Sequence, residues 1–214
     1  MKIIHMDKRI LVAVKPNGAL STDENGGMPQ LLREQLGDPK ACIRTVHRLD
    51  AAVGGLMVFA RSAKAASLLG QQMQERRFHK EYLAVVHGTP PTSGKLWDLL
   101  GRDKARRITY VAEEPGKDVR PALLDYQVLD SHDDLSLVRI VLHTGRTHQI
   151  RVQFASRGWP LVGDRKYGIC DDGDFPIALW SWHLRFAHPE SGEMMEFSAL
   201  PPQSGPWQDF SMPL

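Results

Sequence analysis

His47-Arg48-Leu49-Asp50-Ala51-Ala52-Val53-Gly54-Gly55-Leu56 is the stretch from which the rest of the chain can be read. The apolar run from Gly55 to Ala60 follows an acid and a glycine pair, a pattern that predicts strand, tight turn and strand, with Asp50 where the first strand ends. A carboxylate at such a place is held rigidly. Gly54 and Gly55 can take positive φ and carry no side chains, so the pattern also predicts open backbone through which a ligand approaches Asp50. A rigid acid beside open backbone suits a nucleophile or a charge stabiliser. The same residues also fit an Arg–Asp surface pair closing a hairpin, a common arrangement worth little.

With 214 residues, 42% hydrophobic and 24% charged, the chain reads as a soluble globular protein, long enough for one large domain or two lobes sharing a core. Its two cysteines, Cys42 and Cys170, form no CxxC and are expected to be reduced thiols in a cytoplasmic protein. The opening MKIIHMDKRILVAVKP is too short in its apolar run and too charged for a signal peptide, and no segment is long and apolar enough to span a membrane. Net charge is only +2, so a polyanionic partner has to be argued from where the cations sit. Among the nine histidines, His183 and His188 lack a ligand-like interval, and neither His143 nor His148 has a Cys or acid suitably spaced, so no metal is expected.

Residues 2 to 14 predict one or two strands, ended by the turn Lys15-Pro16-Asn17-Gly18. A short helix is expected from Gln30 to Leu36, stopped by Gly37. Ser62 predicts an N-cap for a helix to about Arg77, with Ala65, Leu69 and Met73 inward and Arg76, Arg77 and Lys80 complementing the dipole at its far end. Lys80 to Gly88 alternates as a strand, and Ala122 to Leu129 and Leu135 to Leu142 predict two more. Between Gly101 and Arg120 the basic, turn-rich sequence predicts an extended loop or hairpin. Ala178 to Phe186 and Met194 to Phe197 add strands, and Pro201 to Leu214 reads as a proline-rich surface tail.

In His143-Thr144-Gly145-Arg146-Thr147-His148-Gln149-Ile150-Arg151, Thr147 predicts a cap for a helix that buries Ile150 and Phe154 and stops at Gly158. Arg151 then sits on the flank of the buried stripe, a place for a partner to a buried acid. Strands outnumber helices without regular crossovers, which predicts an α+β fold with a mixed, mainly antiparallel sheet and flanking helices. No repeat or linker divides the chain, so residues 1–214 are expected to form one domain.

Taken in order, His47-Arg48-Leu49-Asp50 with its glycine pair, Lys80-Glu81-Tyr82, Thr144 to Arg151, Gly163-Asp164 with Tyr167-Gly168, and His188-Pro189 with Gly192-Glu193 resemble the RluA family of RNA pseudouridine synthases. The resemblance spans roughly residues 10 to 200. It implies the pseudouridine synthase catalytic fold, with a central sheet and an RNA-binding cleft, and no cofactor. Residue by residue, it implies Asp50 as the catalytic aspartate, Arg151 as its arginine partner, and Tyr82 as the tyrosine that packs on the target base and takes part in proton transfer. Arg48 corresponds to an arginine that fills the gap left by the flipped uridine. Ala51-Ala52-Val53-Gly54-Gly55 departs from the family's more typical Thr-Ser-Gly. Many relatives carry a small RNA-binding module ahead of the catalytic domain, and Lys15-Pro16-Asn17-Gly18 stands too near residue 1 to leave room for one.

The chemistry that the resemblance implies breaks the N-glycosidic bond, turns the base and joins C5 to the same sugar carbon. It needs a carboxylate against developing positive charge, as in glycosidases, and a route for one proton. A carboxyl that stays ionised while buried needs a cation beside it, which is the physical case for Arg151. Extruding the uridine costs a few kcal/mol, which Arg48 as a wedge and Tyr82 as a stacking surface would offset. Arg61, Lys64, Arg76, Arg77, Lys80, Arg102, Lys104, Arg106 and Arg107 are the cations expected to meet structured ribosomal or transfer RNA. A monomer is expected. Two other readings stay open: a non-catalytic RNA-binding protein that keeps the fold, and an N-glycosidase acting on free nucleosides.

Overall fold

The computed structural model describes residues 1–169 and 172–213. In chain order the elements are β1 (Ile3–Met6), β2 (Ile10–Lys15), α1 (Met28–Leu36), β3 (Arg44–Thr45), β4 (Gly54–Ala60), α2 (Ala63–Gln74), β5 (His79–His87), β6 (Ser93–Asp103), β7 (Ile108–Ala112), β8 (Arg120–His132), β9 (Leu135–Leu142), α3 (Gln149–Ala155), β10 (Leu179–Ala187) and β11 (Met194–Ser198). They divide into two units. Met1–Lys80 with Trp180–Pro201 makes the first, and Glu81–Leu179 with Pro202–Leu214 the second.

In the first unit β2 is the antiparallel neighbour of both β1 and β4. β4 also pairs antiparallel with β3 and parallel with β10, and β10 pairs antiparallel with β11. The alternation of β2 and β4 puts Ile10, Val12, Leu56, Val58 and Ala60 on one face, where Ala65 and Leu69 of α2 cover them together with Phe78, Leu184 and Phe186. α1 stops at Gly37, whose φ of 65° lets its N–H reach back to the Glu34 carbonyl at 3.1 Å. α2 begins as expected, with Ser62 Oγ accepting from the Ala65 N–H at 3.1 Å. Its other end differs: the helix stops at Gln74, with no base in its last turn. Arg76 takes a φ of 57° and turns the chain so that Phe78 stacks on Phe186 at 5.0 Å, and burial of that ring decides the ending rather than the dipole.

Where β4 and β10 run parallel, Gly54 stands opposite Trp180 and Gly55 opposite Ser181. A Cβ on Gly54 would lie 2.4 Å from the Trp180 ring, and one on Gly55, at φ 116°, would lie 2.4 Å from the Ser181 carbonyl oxygen. The glycine pair therefore admits a neighbouring strand. The expected open backbone beside Asp50 is filled by β10 at these two residues.

The second unit is an antiparallel array in which β5 pairs with β9, β9 with β8, β8 with β6 and β6 with β7. The basic stretch after Gly101 is a hairpin, one of the two expected forms. β6, however, begins at Ser93, in sequence that predicted no strand, because its alternation is masked by an exposed Trp97 between the buried Leu96 and Leu100. α3 packs on this array through Phe154 against Tyr126 at 5.4 Å and through Val152 against Leu100 and Ala122. Every residue from Gln149 to Phe154 is buried, so burial extends beyond the expected Ile150 and Phe154 to the flank that carries Arg151. Nor is the C-terminal segment a surface tail. Pro206, Trp207 and Phe210 are buried around a short 3₁₀ turn at Gly205–Trp207, since two large rings gain more from burial than a proline-rich segment gains from solvent. Among the described residues no helix is long and apolar enough to cross a membrane.

Two glycine substitutions should have opposite signs. Gly55→Ala forces β4 and β10 apart and should cost far more than the ~1 kcal/mol of an average substitution, read as a lower urea midpoint at unchanged m. Gly70→Ala in α2, where the new Cβ meets nothing within 4 Å, should instead stabilise by ~0.5–1 kcal/mol.

Candidate active site

Asp50 does not end a strand. β3 stops at Thr45, and Asp50 opens a turn in which its carbonyl accepts from the Val53 N–H at 3.0 Å. The loop is nonetheless fixed, because side chains and turns of the preceding segment satisfy its backbone in place of a strand neighbour. Ser21 Oγ donates to the Leu49 carbonyl at 2.7 Å and accepts from the Leu49 N–H at 3.0 Å. The Gly18 N–H and Lys15 Nζ both donate to the Ala51 carbonyl, at 2.8 and 2.9 Å, and Asn17 Nδ2 donates to the Ala52 carbonyl at 2.6 Å. Thus Lys15-Pro16-Asn17-Gly18, which the sequence pattern marks only as the end of a strand, clamps the loop that carries the acid.

Lys15 is fully buried and sits at the end of β2. Burial lowers its pKa to about 8, and the negative charge of Asp50 works against that shift. A cation coupled to Asp50 is thus built into the same unit, and sequence reasoning missed it. The signal was present: in the period of β2, Lys15 follows Leu11 and Ala13 on one face. His47 is also buried and, chiefly for that reason, its pKa falls to about 3, with Lys80 nearby adding to the effect. It is a neutral ring that accepts the Val58 N–H at 3.2 Å and packs on Phe78, a structural histidine within the motif.

Among the cations of this unit, Arg48 and Lys64 are exposed, as are Arg76 and Arg77, and Arg77 is paired with Glu75. Arg61 is half-buried and donates to the Asp7 carbonyl. Lys80 is half-buried as well, and burial lowers its pKa. Cys42 is a free, exposed thiol, whereas Cys170 lies outside the described residues.

In the second unit Tyr82 is 5% exposed on β5, opposite Ile140. Thr147 does not cap α3. His148 occupies that place with a φ of 53°, and Thr147 Oγ1 instead accepts from Arg102 Nη1 at 3.0 Å. The turn ahead of α3 is closed by Gln149, whose Oε1 accepts from the Arg146 N–H at 3.0 Å and from Thr144 Oγ1 at 2.8 Å.

Arg151 is 7% exposed and carries its own carboxylate. Asp164 takes its Nε at 2.8 Å and its Nη2 at 2.7 Å in a two-pronged pair. Oδ1 of Asp164 also accepts from the N–H groups of Lys166 and Tyr167, at 2.9 and 3.1 Å. Burial alone would raise the Asp164 pKa, but the guanidinium and these donors hold it below the ordinary carboxylate value. The Tyr167 ring lies 5.2 Å from the guanidinium carbon. Its hydroxyl accepts from the Thr109 N–H at 2.8 Å and shares a hydrogen bond with His148 Nδ1 at 2.8 Å. In the sequence Asp164 and Tyr167 belong to a motif without a role of their own, since nothing local relates Gly163-Asp164 to Arg151. Among the hairpin cations, Arg106 faces Asp103 at 3.8 Å, Lys104 faces Asp118 at 3.4 Å, and Arg107 offers its carbonyl to Lys166 Nζ at 3.0 Å. Among the described residues no group of three or more His, Cys, Asp or Glu could hold a metal ion.

Residues 9–156 match the family model described as RNA pseudouridylate synthase. An uncharacterized RNA pseudouridine synthase of Chloroflexus aurantiacus is 41% identical over 159 residues, 72% of this chain and 48% of the relative. The ribosomal large subunit pseudouridine synthase D of Neisseria meningitidis serogroup A is 34% identical over 219 residues, 93% of this chain and 58% of the relative. The chain thus spans about half the length of these relatives. Among solved structures, human RNA pseudouridylate synthase domain containing 1 superposes with a TM-score of 0.81 at 26% identity, over 96% of this chain and 85% of that one.

Removing Asp164 takes from a buried guanidinium the carboxylate that meets it with two hydrogen bonds. Asp164→Ala should cost ~3–5 kcal/mol of stability in urea denaturation, with Asp164→Asn milder. Because the Asp164 pKa is lowered in the folded state, its contribution is complete above the ordinary carboxylate range and is lost as pH falls through the folded value. The gap between parent and Asp164→Asn should close on acidification.

Proposed function

Because the chain belongs to the RNA pseudouridylate synthase family, of the RluA type, we propose that it isomerises uridine to pseudouridine in structured ribosomal or transfer RNA. The observation that carries this reading is Asp50 on a loop tied down at Leu49, Ala51 and Ala52 within the matched region, so that a carboxylate is presented in one fixed place. The name of the Neisseria meningitidis relative, which specifies the large ribosomal subunit, supports ribosomal RNA as the substrate.

In the proposed reaction the N1–C1′ bond of uridine breaks while the Asp50 carboxylate stabilises or captures the cationic sugar carbon. The uracil turns, C5 bonds to C1′, the proton on C5 departs and N1 ends protonated. Nothing is oxidised and no water is consumed, so a single acid suffices and no cofactor is required. Lys15 is close enough to Asp50 for the two charges to interact. The pairing of Asp50 with Arg151 is part of the proposal, as is Tyr82 as base-packing and proton-transfer group. Arg48, exposed beside the acid, is the wedge that replaces the flipped uridine in the stack. Arg61, Lys64, Lys80, Arg102, Arg106 and Arg107 are the remaining proposed RNA contacts. A cytoplasmic monomer is proposed with it, and the free Cys42 thiol suits a reducing compartment.

The test is pseudouridine mapping of cellular RNA with and without the protein, followed by the variants in vitro. Asp50→Asn should abolish pseudouridine formation while RNA binding persists. An unchanged rate would overturn the assignment of Asp50, and RNA binding by the parent with no modified uridine would point to a binding protein that has kept the fold. Released uracil with an abasic sugar would identify a glycosidase instead.

A further inference from the structure

With 27 basic and 25 acidic residues the chain is nearly balanced, and many of its cations face acids, including Arg9, Arg33, Arg77, Lys95, Lys104, Arg106, Arg157, Arg165 and Arg185. Against that background four exposed cations of the second unit stand out. Among the described residues none of Arg102, Arg107, Arg146 and Lys166 has a carboxylate at ion-pair distance. The nearby acids are otherwise occupied: Asp103 by Arg106, Asp118 by Lys104, Asp174 by Arg165 and Asp164 by Arg151.

One of the four, Arg102, lies on a closed circuit of contacts, and Arg146 and Lys166 are chain neighbours of its members Thr147 and Tyr167. Arg102 stands opposite Thr109 across the β6–β7 hairpin and donates to Thr147 Oγ1 at 3.0 Å. Thr147 precedes His148, whose Nδ1 lies 2.8 Å from the Tyr167 hydroxyl, and that hydroxyl accepts from the Thr109 N–H at 2.8 Å, which returns to the hairpin. Lys166 donates to the Arg107 carbonyl at 3.0 Å, and Arg146 Nε to the Pro121 carbonyl at 3.0 Å. Arg102, Arg146 and Lys166 are therefore steadied through neutral backbone or hydroxyl oxygens, Arg107 joins them through its carbonyl alone, and among the described residues none of the four charges meets a carboxylate. Holding flexible cations in place beforehand lowers the entropy cost of binding, and leaving their charge unanswered keeps them available to an anion.

We propose that Arg102, Arg107, Arg146 and Lys166 form a clamp for the RNA phosphate backbone. This rests on the proposed function for the identity of the polyanion and extends it by adding Arg146 and Lys166, by placing Arg106 outside the clamp, and by assigning phosphate rather than base contact. Tyr167 belongs to the circuit and also lies against Arg151, so the clamp shares a residue with the surroundings of that guanidinium.

The experiment measures RNA affinity against salt for the full chain carrying Asp50→Asn, so that turnover does not intervene. Neutralising one phosphate-binding cation should lower the slope of log K against log salt by ~0.7–0.9. Arg146→Gln combined with Lys166→Gln should thus flatten the slope by ~1.5 and weaken binding alike for RNAs of different sequence. Arg165→Gln, next in sequence but ion-paired with Asp174, is the control and should leave the slope unchanged. Lys166→Gln alone, which removes an exposed group bonded to one carbonyl, provides a drop of ~0.8 should the double variant fail to fold. An unaltered slope in the Arg146 and Lys166 variants, an equal drop with Arg165→Gln, or a weakening confined to one RNA sequence overturns the clamp. None of these results bears on whether the parent makes pseudouridine, and loss of that activity in Asp50→Asn leaves the salt slope to be judged separately.

Discussion

A guanidinium taken out of water has to be answered by negative charge, and in this chain Arg151 is answered by Asp164. The pair fixes much of the second unit around it. α3 can be buried on every side from Gln149 to Phe154 only because its one charged residue is matched in charge and in geometry. The loop that supplies Asp164 is held in return: its oxygens take the Lys166 and Tyr167 N–H groups, and its carbonyl takes the Gly168 N–H at 2.7 Å. Tyr167 then reaches both Thr109 on the hairpin and His148 at the start of α3. An apolar residue in place of Arg151 would pack as well and would organise none of this.

A comparable logic governs the first unit, again around a buried cation. Lys15 is a buried ammonium held by two backbone carbonyls, those of Pro16 and Ala51. Part of the charge is therefore solvated by the loop it steadies, and part is balanced at longer range by Asp50. The consequence is a carboxylate whose loop is set by backbone bonds on either side of it and which has a buried cation held nearby. Rigidity and charge come from the same side chain.

How much of this was legible varies with the range of the interaction. The strands of β2, β4, β5, β8, β9, β10 and β11 and the start of α2 at Ser62 follow from periodicity and capping, which are local. The boundary of α2 did not, because the stop at Gln74 depends on Phe78 meeting Phe186, far along the chain. Gly54 and Gly55 suggest access for a ligand, whereas their cause is the approach of Trp180 and Ser181. The buried rings of Trp207 and Phe210 were hidden among prolines. Asp50, Tyr82, Arg48 and Arg151 are proposed from the ordered motifs, while the period of β2 marks Lys15 as inward without naming its partner and nothing local relates Asp164 to Arg151. Lys15 and Asp164 both act through tertiary contacts, one to a loop carbonyl and one to a distant helix.

These cases separate two kinds of information. Apolar residues announce their environment in the spacing of the sequence, since the helix and strand periods are short and the hydrophobic effect has no direction. Buried charges announce only that a partner exists, because the partner is chosen by geometry that forms after the elements have packed. The same asymmetry explains why the cations near Thr147 could not be sorted from sequence. Arg106 and Arg107 are adjacent and chemically alike, yet one faces Asp103 and the other meets Lys166 only through its carbonyl. Which of two neighbouring arginines remains available to a polyanion is a property of the folded hairpin, and there an αL turn at Arg107, with φ 54°, separates them.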